Sequence, residues 1–174
     1  MRTSQQNIED AETESNLQEV FVDELADMYH AEKQLTKALP KMIKAAQSDE
    51  LREALEEHLD ETEGQIDRLD QVFAAVDEKV KTKTCKGMQG IVEEGDELIK
   101  ENKGTPGLDA VIISAAQKVE HYEIASYGTL AAWAEQMGND RAAKLLHENL
   151  REEKEADEKL TDIAESLANQ EAEA

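Results

Sequence analysis

Five acidic residues, Glu32, Glu61, Glu123, Glu153 and Asp157, interrupt the apolar stripes of a chain that otherwise reads as four amphipathic helices. An isolated carboxylate inside an apolar bundle costs several kcal/mol unless it is paired or bound to a metal. Acids carried by four helices to one depth form the usual arrangement of a dinuclear metal site in a helix bundle. That pattern limits both the fold and the chemistry.

The stripes follow a turn of about 100° per residue. Leu17, Phe21, Leu25, Met28, Leu35, Leu39 and Met42 share a face of the first helix. Ser15 and Gln18 are placed as its capping box, and Pro40 is expected to kink its last turns or begin a new helix. Ser48 is expected to cap a second helix with Leu51, Leu55, Leu59, Ile66, Leu69 and Phe73 in line. A basic, irregular stretch from Asp77 to Lys86 leads into a short amphipathic segment, Met88, Ile91, Val92, Leu98 and Ile99. Thr105, with Pro106 at the first helical position, is expected to open the third long helix. That helix aligns Leu108, Ile112, Ala116, Val119, Leu130, Trp133 and Met137. Asn139 is expected to cap the fourth, which aligns Leu146, Leu150, Leu160, Ile163, Ala164 and Leu167.

A shift that carries Leu17 onto Leu108 also carries Leu39 onto Leu130, Leu55 onto Leu146, Leu59 onto Leu150 and Leu69 onto Leu160. It carries Glu32 onto Glu123 as well. The chain therefore reads as an all-α four-helix bundle made of two helical hairpins, joined by a long crossover from about Asp77 to Thr105 that carries a short extra helix. Glu32 and Glu61 flank the first turn at depths that differ by about 3 Å. Glu123, Glu153 and Asp157 flank the second in the same way.

At 174 residues the chain fits one domain with a real core. Residues 1–14 read as a disordered acidic arm, 15–168 as the bundle and 169–174 as a disordered tail. Charged residues at 34% against aromatics at 3% favour long helices over sheets. A net charge of −22 argues against nucleic acid and anionic membrane as partners and suits the attraction of cations. General solubility, or adaptation to a salty cytoplasm, accounts for the charge equally well. The single Cys85 excludes an internal disulfide and suggests a reducing, cytoplasmic setting. No apolar run approaches the roughly 18 residues of a membrane span.

Neighbours extend the candidate ligand set. His58, Glu61 and Gln65 run along one edge of the second helix, Glu120 lies one turn before Glu123, and Glu24 falls on the apolar face of the first helix. The Glu-x-x-His signature of many bundle metal sites is absent, since Gly64 follows Glu61 and Ala156 follows Glu153 at that spacing. An oxygen-rich donor set suits iron or manganese. The plain alternative stays open beside it: among 41 acidic residues some fall near an apolar stripe by chance. Glu24, Glu120 and Gln65 read equally well as rim residues, and His58 as a hydrogen-bonded core histidine. Tyr29, Tyr122, Tyr127 and Trp133 read as packing residues; Tyr127, one turn from Glu123, could instead donate a supporting hydrogen bond, and Ser126 reads first as a small residue that eases helix contact, with the same hydrogen-bonding role as its alternative. Cys85, beside Lys83 and Lys86, is either structural or a thiol of lowered pKa.

Five blocks carry a family resemblance: Asp27-Met-Tyr-His-Ala-Glu-Lys-Gln-Leu35, His58-Leu-Asp-Glu-Thr-Glu-Gly-Gln65, Cys85-Lys-Gly-Met88, Val119-Glu-His-Tyr-Glu-Ile-Ala-Ser-Tyr-Gly128 and Leu150-Arg-Glu-Glu-Lys-Glu-Ala-Asp-Glu-Lys-Leu160. Together they resemble the bacterial YciE/YciF-type stress proteins, over about residues 17 to 168. The resemblance implies a ferritin-like bundle, a homodimer and a dinuclear centre of two iron or manganese ions per chain. It implies Glu32, Glu61, Glu123 and Glu153 as ligands, with Glu120, His58, Gln65 and Asp157 beside them. The leading expectation is a redox-active dimetal protein acting on peroxide or ferrous iron. The alternatives are a metal-stabilised structural or interaction dimer without turnover, and a metal-free bundle whose acids are protonated or paired.

Overall fold

The computed structural model describes residues 16–172, so the acidic arm and its Ser15 cap lie outside the described residues. Five helices account for most of the rest: α1 Leu17–Ala45, α2 Asp49–Ala75, α3 Lys86–Glu101, α4 Leu108–Gln136 and α5 Asp140–Ile163. The chain stays helical beyond α5, through a π-helical stretch Ala164–Ala168 and a turn Asn169–Ala172, past the bundle limit expected at 168.

The long helices form a ring in which α1 packs on α2, α2 on α5, α5 on α4 and α4 back on α1. Each ring neighbour runs antiparallel, which sets helix dipoles favourably. The apolar stripes meet inside: Phe21, Leu25, Met28 and Leu35 of α1, Leu51, Leu55 and Leu69 of α2, Ile112 and Leu130 of α4, and Leu146 of α5 are buried. Trp133, Leu59 and Leu150, placed on the same stripes, are only half-buried. The expected pair of hairpins is therefore present.

Two caps and the Pro40 position differ from expectation. Asn16 caps α1, its side chain accepting the Glu19 N–H at 3.0 Å. Pro40 starts no new helix; α1 continues to Ala45 because the missing N–H falls on the solvent side of the helix. Thr105 does not cap α4. Its hydroxyl donates to the Asn102 carbonyl at 2.8 Å and closes the turn after α3, so α4 begins at Leu108. Ser48 and Asn139 cap α2 and α5 as expected, accepting from Leu51 N–H and Ala142 N–H.

Two polar ties fix the ends of the bundle. Asp109 is 2% exposed in the first turn of α4, and its carboxylate accepts the Gln47 and Ser48 backbone N–H groups at 2.8 and 2.7 Å. It locks the start of α4 to the α1–α2 turn. At the other end, the Asn139 amide donates to the last carbonyl of α2, Ala75 O, at 2.8 Å. The crossover brings α4 to the correct end, and these bonds set its depth.

The crossover helix α3 packs on α4 and α1. Ile91 and Ile99 of its apolar face are half-buried against the core. Its N-terminus explains the Cys-Lys-Gly-Met block. Cys85 is buried and caps α3, its sulfur accepting the Met88 N–H and lying 3.0 Å from Tyr122 Oη. A Cβ at Gly87 would stand 2.8 Å from the Tyr122 ring, so only glycine lets α4 approach that closely. Burial, then the neighbouring Asp27 carboxylate, push the Cys85 thiol up rather than down. Lys83 does not lower it because its ammonium pairs with Asp23 at 3.0 Å. Cys85 is thus a packing and capping residue.

Asp109→Ala should destabilise the protein by about 2 kcal/mol in denaturant melts, since two backbone donors lose a charged acceptor. Asp96→Ala, which breaks only the exposed pair with Lys41, should leave the midpoint unchanged. Equal effects of the two would refute the role of Asp109.

Candidate metal centre

Midway along the bundle the apolar stripes give way to acids. Glu32 lies between the core positions of Met28 and Leu35 on α1, Glu120 and Glu123 follow Ala116 and Val119 on α4, and Glu153 lies between Leu146 and Leu160 on α5. All four carboxylates are at most 1% exposed. His58 of α2 joins them at 5%. His58, Glu120, Glu123 and Glu153 each offer one ligand atom, and those atoms all lie within 4.8 Å of one another.

Many of these atoms have no hydrogen-bond partner. Both oxygens of Glu123, one oxygen each of Glu32, Glu120 and Glu153, and the Gln65 carbonyl oxygen are buried and unpaired. His58 Nε2 lies 3.2 Å from a Glu120 oxygen and Nδ1 lies 3.7 Å from Glu61, yet neither ring nitrogen makes an aligned hydrogen bond. Buried polar atoms are normally satisfied. A cluster of unpaired carboxylate oxygens around an imidazole is what a cation of borderline or hard character would fill. The donor set therefore fits iron or manganese.

The remaining candidates lie around this core. Gln65 is fully buried, but its amide donates to Glu153 and, at 3.2 Å, to Glu152. Glu61, with a side chain 32% exposed, touches His58 from outside the cluster. Asp157 is at the α4–α5 rim, accepting from Gln117 at 3.2 Å with His121 at 3.3 Å. Glu24 is exposed. Ser126 donates to its own helix at Tyr122 O.

Supporting groups hold the acids in place. The Tyr127 hydroxyl donates to Glu32. Arg68 pairs with Glu152 and donates to Asn149, forming a polar strut between α2 and α5 beneath Gln65 and Glu153. The sequence reading missed this strut. Its signal was present as Asn149 inside the Leu146–Leu150 stripe and as Arg68 one turn after Gln65.

Crowded, buried carboxylates hold protons tightly. Burial, then the Glu153 charge, raise the Glu32 pKa from the usual 4.5 to about 8. Burial likewise lifts Glu120 and Glu123 well above the usual carboxylate range. Burial alone would lower His58, but the carboxylates, Glu120 foremost, outweigh it and raise the imidazole to about 10.

Residues 16–173 match the family model described as a domain of unknown function, DUF892. The chain belongs to the DUF892 family. Its relatives include YciF of Escherichia coli K12, 51% identical over 158 residues that cover 90% of this chain and 95% of that protein. The crystal structure of the E. coli stress protein YciF superimposes with a TM-score of 0.85 at 49% identity, covering 90% of this chain and 99% of that one. YcfI of Rhodopseudomonas palustris, described as a candidate structural protein, matches with a TM-score of 0.82 at 46% identity, covering 84% and 94%. This DUF892 member is thus a YciF-like helical bundle with a buried carboxylate–histidine cluster that could hold a metal ion. No helix among its described residues is long and apolar enough to cross a membrane.

The raised values set a pH dependence. Between 4.5 and about 8, folded Glu32 keeps a proton that the unfolded chain releases, so stability falls as pH rises through that window. His58 acts with the same sign: its stabilisation is full below 6.5 and is lost as pH rises through about 10. Metal-free protein should lose several kcal/mol of stability between pH 5 and pH 8. Mn(II) should raise the melting midpoint more at pH 8 than at pH 5.5, because it replaces protons already leaving. A metal-free midpoint that climbs from pH 5 to 8 would contradict this picture of the cluster.

Proposed function

We propose that this protein is a dinuclear iron or manganese carboxylate protein that protects against stress through peroxide or ferrous-iron chemistry. The observation that carries the reading is the cluster of four buried carboxylates with unpaired oxygens around His58. Two divalent cations would neutralise four carboxylates and leave the imidazole free to bind as a neutral ligand. In this reading Glu32, Glu120, Glu123, Glu153 and His58 hold the ions, and Glu123 offers both oxygens. Bound there, iron or manganese would supply a redox couple able to accept electrons from ferrous iron or donate them to peroxide. Tyr127 orients Glu32, and Gln65 with the Arg68–Glu152 strut orients Glu153. The apolar residues above and below the cluster exclude bulk water. The description of YciF as a stress protein supports the protective role. A reducing cytoplasm, suggested by the single Cys85, and a homodimer, implied by the family resemblance, complete the proposal.

A second reading is favoured by the structural role suggested for the R. palustris relative. Metal would then stabilise the bundle without turnover. The two separate in one assay. Loaded with iron or manganese, the wild type should consume many equivalents of hydrogen peroxide or oxidise many equivalents of ferrous iron per chain, and Glu123→Ala should do neither. Metal-dependent stabilisation with no more than one stoichiometric reaction would favour the structural reading.

A further inference from the structure

A cavity of about 110 Å³ opens between α2 and α5, and its floor is His58 and Glu120 of the buried cluster. Ala54, Leu55, Ala156 and Leu160 form apolar walls. Glu57, Glu61, Glu155 and Lys159 form the rim. Hollows over Tyr122 and Trp133, and over Gln117 and His121, are larger but touch none of the clustered residues. Three carboxylates against one ammonium make the rim attractive to cations and repulsive to anions. The ammonium is also restrained, since Lys159 pairs with Glu57 across the mouth from α5 to α2. Glu61 occupies the intermediate position, partly in solvent and 3.7 Å from His58 Nδ1. That nitrogen is buried and has no aligned partner.

We propose that this cavity is the route by which divalent cations reach the buried cluster, with Glu61 as the transit ligand that passes them to His58 and the Lys159–Glu57 pair as the bar across its mouth. The inference rests on the metal-centre reading above. A hydrated ion drawn to the rim exchanges waters for the Glu61 carboxylate, since the narrow apolar walls leave little room for a full hydration shell. It then passes to the imidazole and to Glu120. Glu61 stays partly exposed, so an incoming ion meets its carboxylate before it reaches the fully buried acids.

The test is the rate at which metal-free full-length protein takes up Co(II), followed by stopped-flow absorbance, with final stoichiometry from elemental analysis. Lys159→Ala should load about threefold faster, because the rim loses its positive charge and its bar. Glu61→Gln should load about tenfold slower. Both should reach the wild-type metal content and keep the wild-type circular dichroism, and added salt should shrink both differences. Loading of both variants at the wild-type rate would overturn the route while leaving the metal centre intact. Fewer ions bound at saturation by Glu61→Gln would make Glu61 a resident ligand and overturn its transit role. Wild-type protein that takes up no Co(II) would remove the metal centre itself, a separate failure.

Discussion

Charge balance inside the bundle is the constraint on which the rest of this structure depends. Glu32, Glu120, Glu123 and Glu153 are buried at one level in an otherwise apolar core. Four ionised carboxylates at that depth cannot coexist without protons or cations. A single nearby base, His58, offsets only part of the charge. The same helices that could have closed the core with leucine instead hold oxygens with no partner in the protein. Such an arrangement is expensive as a purely structural device. It becomes favourable when a cation binds, because metal affinity then contributes to folding free energy.

The fold serves that cluster by fixing depth. Each hairpin delivers acids at similar distances from its turn, and the two hairpins must then be registered against each other. Asp109, bonded to the α1–α2 turn, and Asn139, bonded to the end of α2, do this at opposite ends. The crossover helix is anchored by its Cys85 cap and by the close approach of Gly87 to Tyr122. Tyr122 directly precedes Glu123, so the docking of α3 also braces the helix that carries two of the four acids. Finer positioning comes from Tyr127 on Glu32 and from Gln65 on Glu153.

Much of this was legible in the sequence because helical periodicity is a strong signal. It placed the four long helices, the repeat that pairs Glu32 with Glu123, and the burial of Glu32, Glu123 and Glu153. It was weakest where a small rotation decides between core and rim. Glu61 and His58 are one turn apart on α2, and packing turned the imidazole inward and left Glu61 at the edge. Asp157, one turn beyond Glu153, met Gln117 and His121 at the rim instead. The strut of Arg68, Glu152 and Asn149 joins two helices across the bundle; spacing along each helix marks Asn149 and Arg68 singly but does not show that they pair. Caps were misplaced where a hydroxyl had two carbonyl or amide choices, as at Thr105, or where the neighbouring residue, Asn16, was the better acceptor.

The measurement that bears most directly on the account is metal content per chain, by elemental mass spectrometry, on protein purified without chelators and then loaded anaerobically with ferrous iron or manganese. Glu32→Ala and Glu153→Ala should be measured beside the wild type. The account predicts about two ions per wild-type chain, one for each pair of buried carboxylates, and a loss of bound metal in both variants. Wild-type protein that holds no iron or manganese after loading would contradict it and leave a bundle whose buried acids are balanced by protons alone.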